Sequence, residues 1–198
     1  IVFSWAVLIF TSGINIFILF GLSIFAFISL AYLIMYVPKF DYIQNRIFSF
    51  FNRDTGTHNF QSDKAIESIT SGGYFGKGIG EGTLKNRVPE AHTDYIISVI
   101  SEEFGVVAIM LILLLFLMFI YMVFKKINYE KDDKTKLVLI GCVSLILMQA
   151  TIHVGVNIRL FPTTGMTLPF LSYGGSSIVS ISILSGIILN LTKRKIEN

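Results

Sequence analysis

The residues with the clearest chemical potential lie around Asp94, in the run Pro-Glu-Ala-His-Thr-Asp-Tyr from 89 to 95. This run stands where a polar segment becomes an apolar one, and the pattern predicts a helix that starts there. At about 100° per residue, one side of the helix start is polar and acidic, whereas Glu103 falls on the opposite side. The side chains within roughly a quarter turn of Asp94 are Ser98, Ser101 and Glu102. A carboxylate in this setting can serve as a general base.

A plainer interpretation is that these residues only begin a helix. Thr93 or Asp94 can act as the N-cap, followed by a solvated first turn. The apolar continuation favours the functional interpretation, because ionisable groups at the depth of a membrane usually mark a cavity or a pathway. From these residues alone, both interpretations stay open.

A glycine-rich run, Ser71 to Gly82, precedes the acidic run and holds six glycines among twelve residues. Such runs let backbone amides approach an anionic group closely. The run follows no predicted strand and lacks the phosphate-loop spacing that ends in Lys and Ser or Thr, so a nucleotide site is not indicated. The alternative is a set of turns at the membrane surface.

A third polar feature is the face formed by Gln149, His153 and Asn157, which recur at i, i+4 and i+8 within an apolar run. Such groups find hydrogen-bond partners only in protein or water when they lie in lipid. For His153 we favour an interhelical hydrogen bond over a metal-ligand or proton-relay role. Prolines in 162–170 and the Gly-Gly-Ser-Ser at 174–177 indicate a broken or re-entrant segment, which is tolerated where it lines a cavity.

The composition indicates which elements must position these residues. Of the 198 residues, 53% are hydrophobic and 15% are charged, against roughly 25% charged in an ordinary soluble domain. Four stretches carry no charge: 1–38, 104–124, 137–158 and 160–192. Each is long enough to cross a bilayer, which takes about 20 apolar residues in a helix.

We therefore predict an all-α polytopic membrane protein, a helical bundle forming a single membrane domain over residues 1–198. The predicted spans are a partial one at 1–10 and four full ones at 14–36, 94–124, 137–157 and 171–191. Pro38 ends the first full span, and residues 37–93 form a long extracytoplasmic loop. The 94–124 helix would reach about 46 Å at 1.5 Å per residue, so its polar beginning must lie outside lipid or in a protein-lined cavity. We expect the natural protein to be longer, with earlier spans.

Orientation follows from the positive-inside rule. Lysines fill the short loop at 125–136, and Lys193, Arg194 and Lys195 fill the tail, so both belong in the cytoplasm. The loops 37–93 and 159–170 then face outside. The net charge of +3 is topological, because the basic residues flank apolar runs and form no nucleic-acid-binding motif. The single cysteine, Cys142, excludes a disulfide framework and a cysteine-based metal site.

Four stretches resemble the SEDS family, named for shape, elongation, division and sporulation. They are Gly-Lys-Gly-Ile-Gly-Glu-Gly-Thr at 76–83, Pro-Glu-Ala-His-Thr-Asp-Tyr at 89–95, Glu-Glu-Phe-Gly at 102–105 and Pro-Thr-Thr-Gly-Met-Thr-Leu-Pro-Phe-Leu-Ser-Tyr-Gly-Gly-Ser-Ser at 162–177. The cell-division branch is the most similar and the elongation branch is second. Where many relatives have a Gln-Ser pair ahead of the glycines, this sequence has Lys64-Ala65, so no role of that pair is carried over.

The resemblance implies a peptidoglycan glycosyltransferase that polymerises lipid II, an undecaprenyl-pyrophosphate disaccharide peptide, with Asp94 at the catalytic position. It also implies a class B penicillin-binding protein and other membrane proteins of the division machinery as partners. The implied location is the bacterial cytoplasmic membrane at the division septum, as a multi-pass protein. No nucleic-acid partner is implied.

The implied chemistry agrees with the residues. A pyrophosphate leaving group is already a stable anion, so the reaction needs one base rather than the carboxyl pair of a glycosidase. Candidates for substrate binding are Lys77, Lys85, Arg87, His92, Thr93, Glu102, Arg159, Ser172 and Ser176. The four basic ones suit the pyrophosphate, with Mg²⁺ or Mn²⁺ as a candidate cofactor. Each is also explained as a basic side chain near anionic lipid headgroups.

Two other classes of function remain open. A polytopic protein with a broken last helix could transport lipid II across the membrane, or it could be a non-enzymatic scaffold for a septal transpeptidase. Asp94 on the outer face distinguishes them, because polymerisation requires a base there, whereas transport needs a path across the membrane.

The orientation can be tested with a reporter that gives a signal only in the cytoplasm. Fusion after Lys131 or after Asn198 is expected to give a signal, and fusion near Asn59 is not, because the basic segments stay inside. The reverse pattern would refute the predicted topology.

Overall fold

A computed structural model describes residues 2–52, 57–88 and 91–193, and these residues form helices and connections without a strand. The helices are α1 (Val2–Thr11), α2 (Ile16–Tyr36), α3 (Asp41–Asn52), α4 (Thr57–Gly72), α5 (Leu84–Arg87), α6 (Ile96–Tyr129), α7 (Asp133–Asn157) and α8 (Gly175–Thr192), with a 3₁₀ turn at Pro38–Phe40. Four of them, α2, α6, α7 and α8, are long and apolar enough to cross a membrane, and α1 is a shorter apolar helix. The predicted all-α membrane fold is confirmed.

Residues 37–93 are predicted from the sequence to form a long loop, but most of the described part of this segment is helical. α3 follows the 3₁₀ turn after α2, α4 packs mainly against α6, and α5 is a single short turn before the acidic run. α4 is polar overall, but it buries Ala65 completely and Ser62 and Ser68 almost completely. A polar helix of this kind gives no apolar stretch in the sequence, so its composition resembled that of a loop.

The membrane helices pack around α7, which contacts α1, α6 and α8. The core joins α7 to its neighbours through Leu139, Cys142, Val143 and Ile146 of α7, Val123 and Ile127 of α6, and Ile181 and Ile188 of α8. By contrast, α2 buries none of its residues. The polar face of α7, formed by Gln149, His153 and Asn157, lies in the C-terminal part of the helix. Its last residue, Asn157, contacts the acidic run.

The helix predicted as one span from 94 to 124 is two helices joined at Gly105. Its backbone has φ 81° and ψ 177°, which is not helical. We name the parts α6a (96–104) and α6b (106–129). At 1.5 Å per residue α6b extends about 36 Å, which suffices for a hydrocarbon core of about 30 Å. The polar beginning is therefore a separate short helix, which resolves the excess length of the predicted span.

The glycine-rich run binds the end of α6a. The last carbonyls of a helix have no partner within it. The Lys77 amide donates to the Glu102 carbonyl (2.9 Å), and the Gly78 amide donates to the Glu103 carbonyl (3.1 Å). These amides, which the sequence suggested for an anion, are engaged by helix carbonyls.

The same run also binds the start of α6b, whose first amides likewise lack partners within the helix. The Val106 amide donates to the Gly73 carbonyl (3.0 Å), and the Val107 amide donates to the Tyr74 carbonyl (3.3 Å). Both sides of the break at Gly105 are thus hydrogen-bonded to a single loop.

The contact between the glycine-rich run and the break in α6 requires glycine, because the two backbones lie too close together for a Cβ atom between them. A Cβ atom built on Gly76 would lie 2.2 Å from the Glu103 carbonyl oxygen, and one on Gly105 would lie 2.2 Å from the Tyr74 carbonyl oxygen. Gly76 and Gly105 also have positive φ angles of 77° and 81°, where other residues are strained. Close packing at the helix break therefore accounts for glycine at 76 and 105, whereas a Cβ atom on Gly73 or Gly80 would meet nothing within 4 Å.

Replacing Gly105 with alanine is therefore expected to destabilise the protein. The backbone strain alone costs about 1–3 kcal/mol, and the clash with Tyr74 adds to it. Thermal unfolding of the purified protein in detergent measures the loss. Gly186→Ala in α8 is the control, because a Cβ there meets nothing within 4 Å. Equal melting temperatures for the two variants would contradict the proposed sealing of the break.

Candidate active site

Asp94 lies in a turn that covers 91–95, immediately before α6a. It is half-buried, between the exposed His92 and the buried Tyr95. The prediction that Thr93 or Asp94 is the N-cap is wrong, because the N-cap is Tyr95 and no side chain of the cap residue bonds the helix. The 100° spacing counted from Asp94 therefore does not hold, because the helix begins only at Ile96.

The cap of α6a comes from another helix. Asn157, at the end of α7, accepts hydrogen bonds through Oδ1 from the Ser98 amide (3.2 Å) and the Ser98 hydroxyl (2.7 Å). Its Nδ2 donates to the carbonyl of Asp94 (2.9 Å) and to that of His153 (2.8 Å). Asn157 is fully buried, so one side chain joins α7, the acidic turn and the start of α6a.

The two carbonyls before that of Asp94 are held as well. The Tyr173 amide donates to the His92 carbonyl (3.1 Å). The Ser172 hydroxyl donates to the Thr93 carbonyl (2.7 Å), and His153 Nε2 lies 3.3 Å from the same oxygen. Three consecutive carbonyls, 92–94, are thus bound by α7 and by the segment before α8. We call this arrangement the backbone clamp.

The hydrogen bond of His153 agrees with the interpretation favoured from the sequence. The ring is fully buried, and a carbonyl accepts only from a protonated nitrogen, so Nε2 carries the hydrogen. On the other side of the ring, Asn157 Nδ2 lies 3.4 Å from Nδ1. His153 therefore helps to position the turn that carries Asp94.

Apolar packing around Tyr95 also holds the turn in place. Tyr95 is buried in a cluster with Ala65 of α4, Leu84 of α5, Val99 of α6a and Val156 of α7. The residue after Asp94 is therefore fixed by four helices.

The predicted broken segment before α8 is present, and α8 begins at Gly175 rather than at 171. Gln149 of α7 donates through Nε2 to the Thr167 carbonyl (2.9 Å) and to Ser177 Oγ (3.0 Å). Ser172 Oγ accepts from the Leu168 amide (2.8 Å). Non-helical backbone at the boundary of a membrane helix needs such partners.

This segment also approaches the carboxylate. A Cβ atom built on Gly165 would lie 3.8 Å from Asp94 Oδ2. The Asp94 side chain thus lies beside the backbone of the 162–167 stretch, which the sequence singled out separately.

Two predicted substrate-binding residues, Glu102 and Lys77, bind each other instead. The buried Glu102 carboxylate accepts from Lys77 Nζ (2.9 Å), from the amides of Thr83 and Leu84 (both 3.0 Å) and from Thr83 Oγ1 (3.1 Å). It therefore ties the first turn of α5 to α6a. This geometry gives Glu102 a structural role between α5 and α6a.

The remaining basic candidates whose side chains are described lie near acidic residues of α4, Arg159 near Asp63 and Arg87 near Glu67. Arg159 has φ 59° and forms an ion pair with Asp63 of α4. Arg87 is exposed at the end of α5. The side chain of Lys85 and residues 89–90 lie outside the described residues.

The polar candidates divide in two. His92, Thr93 and Ser172 come together with Asp94, although Thr93 and His92 contribute carbonyls to the clamp and Ser172 a hydroxyl. Ser176 is exposed in the first turn of α8, where its carbonyl accepts from Ser180 Oγ. Sequence reasoning missed Ser98 as a partner of Asn157, since nothing in the spacing links two residues 59 positions apart.

Across residues 2–52, 57–88 and 91–193, no group of three or more His, Cys, Asp or Glu side chains could hold a metal ion. A Mg²⁺ or Mn²⁺ ion at Asp94 would have to take most of its ligands from substrate phosphates and water, which is a common arrangement for Mg²⁺.

Comparisons with known proteins all point to the same protein family. A family model described as cell cycle protein, FtsW/RodA/SpoVE, matches residues 1–197. A probable peptidoglycan glycosyltransferase FtsW from Enterococcus hirae is 34% identical in an alignment of 190 positions that covers 91% of this chain and 48% of that protein. The protein of the same name from Caulobacter vibrioides is 36% identical over 157 residues, 79% of this chain and 40% of its own. The chain spans about half the length of the curated relatives it matches.

A solved structure supports the fold. Its description reads "Structural coordination of polymerization and crosslinking by a peptidoglycan synthase complex". One of its chains matches with a TM-score of 0.79 and 23% identity, covering 100% of this chain and 55% of its own length.

The clamp can be tested by a double-mutant cycle of Ser98→Ala and Asn157→Ala. Asn157→Ala leaves the Ser98 amide and the Asp94 carbonyl without this partner, and each stranded buried group costs about 1–3 kcal/mol. Because the two side chains bond directly, we expect a coupling energy of about 0.5–3 kcal/mol in unfolding measurements. Ser185→Ala in α8 should combine additively with Asn157→Ala. Additivity in both pairs would contradict the cross-helix cap.

Proposed function

Because the chain belongs to the FtsW/RodA/SpoVE family of cell cycle proteins, we propose that this protein is a peptidoglycan glycosyltransferase that polymerises lipid II into glycan strands. Asp94 is its general base. The observation that carries the proposal is the backbone clamp, which holds the turn with Asp94 between α7 and the segment before α8. The names of the relatives agree with this activity.

In the proposed reaction, the 4-hydroxyl of one saccharide attacks the anomeric carbon of another. Asp94 takes the hydroxyl proton as the new C–O bond forms, and the polyprenyl pyrophosphate leaves with the bonding electrons. A single base is sufficient because the leaving group is stable as an anion. Asp94 is only half-buried, and its carboxylate lies beside Gly165.

The geometry changes the ranking of the substrate-binding candidates. Lys77 and Arg159 neutralise Glu102 and Asp63, so they are less suited to a pyrophosphate. Arg87 also lies near a carboxylate, that of Glu67. Among the described residues, the exposed His92, two positions before Asp94, is therefore the better candidate. We propose a divalent cation, Mg²⁺ or Mn²⁺, only as an ion shared with the pyrophosphate.

The proposal extends to partners and location. A class B penicillin-binding protein would crosslink the strands that this protein makes, by analogy with the complex that coordinates polymerization and crosslinking. The expected place is the cytoplasmic membrane at the division septum.

Asp94→Asn is expected to abolish polymerisation in the full-length enzyme. The amide keeps the size of the side chain but cannot take a proton, and loss of a general base typically lowers the rate about 10²- to 10⁴-fold. The measurement is the formation of glycan chains from lipid II in detergent by purified protein. Glu103→Gln is the matched control and should retain most of the activity.

Glu102→Gln provides a second comparison, because it weakens the bond to Lys77 and to the start of α5. It should lower the melting temperature, whereas Asp94→Asn should not. An active Asp94→Asn enzyme would show that the base is misassigned. Wild-type protein that moves lipid II across vesicles without polymerising it in detergent would favour the transporter.

A further inference from the structure

Three apolar side chains in the glycine-rich run are strongly exposed. Tyr74 is 77% exposed, Phe75 85% and Ile79 80%. We call these three residues the apolar tip. Large apolar side chains that gather in a short loop usually mark a contact with protein or membrane.

Backbone hydrogen bonds fix where the apolar tip lies. The carbonyls of Gly73 and Tyr74 accept from the amides of Val106 and Val107, which form the first turn of α6b. The tip is therefore at the level at which the membrane-crossing part of α6 begins, rather than above it in solvent.

The surface of α6b next to the tip is itself apolar and exposed. Only 6% of the most apolar 18-residue stretch of α6 is buried, and Val107 and Met110 are among its exposed residues. A helix this apolar presents such a face to lipid. The tip thus continues an exposed apolar surface of α6b.

The charge of the run points the other way. Lys77, between the members of the tip, turns its amine to the buried Glu102. Tyr and Phe are also residue types that suit the boundary between headgroups and acyl chains, where Tyr is enriched. Lys77 thus gives its charge to Glu102, whereas the other charged residue of the run, Glu81, is exposed.

We propose that the apolar tip inserts into the membrane leaflet on the Asp94 side, with lipid as its binding partner. The loop that seals the break in α6 is then also a membrane anchor. It sets the height of the break, and with it the start of α6a, relative to the bilayer surface. This inference does not depend on the proposed activity.

The test places an environment-sensitive fluorophore, NBD, on single cysteines in the full-length protein, in a background without other cysteines, Cys142→Ala included. The positions are Phe75→Cys in the tip, Val107→Cys as the lipid control and Thr70→Cys, exposed on α4, as the water control. Phe75 packs on little, so its replacement leaves the fold intact. The protein is reconstituted in phosphatidylcholine and phosphatidylglycerol vesicles with or without a doxyl-labelled lipid.

NBD at Phe75→Cys is expected to emit at a shorter wavelength than at Thr70→Cys. It should be quenched by the doxyl lipid, as at Val107→Cys, and protected from aqueous iodide. Quenching by iodide to the extent seen at Thr70→Cys would overturn the proposal in favour of an exposed loop. Protection from both quenchers would overturn it in favour of a protein contact.

Discussion

The rest of this structure depends on how one helix is interrupted. At Gly105 the backbone of α6 leaves the helical path, which strands carbonyls on one side and amides on the other. Next to lipid, water is not available to these groups, and each must find a partner within the protein. The glycine-rich run supplies partners for both sides, and only glycine allows it to come close enough. From this contact follow the place of the run, the buried bond between Lys77 and Glu102, and the position of α5 ahead of the acidic turn.

The interruption also determines what the acidic turn can do. α6a is a short helix, and short helices depend on their caps and on tertiary packing. Here the oxygen that binds the Ser98 amide in the first turn comes from Asn157 of α7. In most helices that oxygen comes from the residue at the helix start. Supplying it from a neighbouring helix separates the structural task from any chemical one.

The spans could be predicted because a run of twenty or more residues without a charge is rare outside membrane helices. The break in α6 could not. A single glycine inside a helical pattern costs only about 1 kcal/mol, so Gly105 looked tolerable within one long helix. The structural role of Glu102 could not be predicted for a related reason. Its partners Thr83 and Leu84 lie at the start of α5, and the position of α5 depends on the hydrogen bonds at the break. The polar face at Gln149, His153 and Asn157 was visible, but its partners lie in segments that only the fold brings near.

The backbone clamp has a property that bears on a site with a single carboxylate. Asn157, Ser172 and His153 all bind carbonyl oxygens of 92–94, so they position the chain through its backbone. A base in glycosyl transfer must meet a hydroxyl at a fixed distance, and small misplacements are costly in rate. Holding the backbone on both sides of Asp94 fixes the Cα atom from which its side chain extends. In the proposed polymerase, the backbone that carries Asp94 is therefore already in place before the sugar hydroxyl arrives, so the reaction does not have to order it.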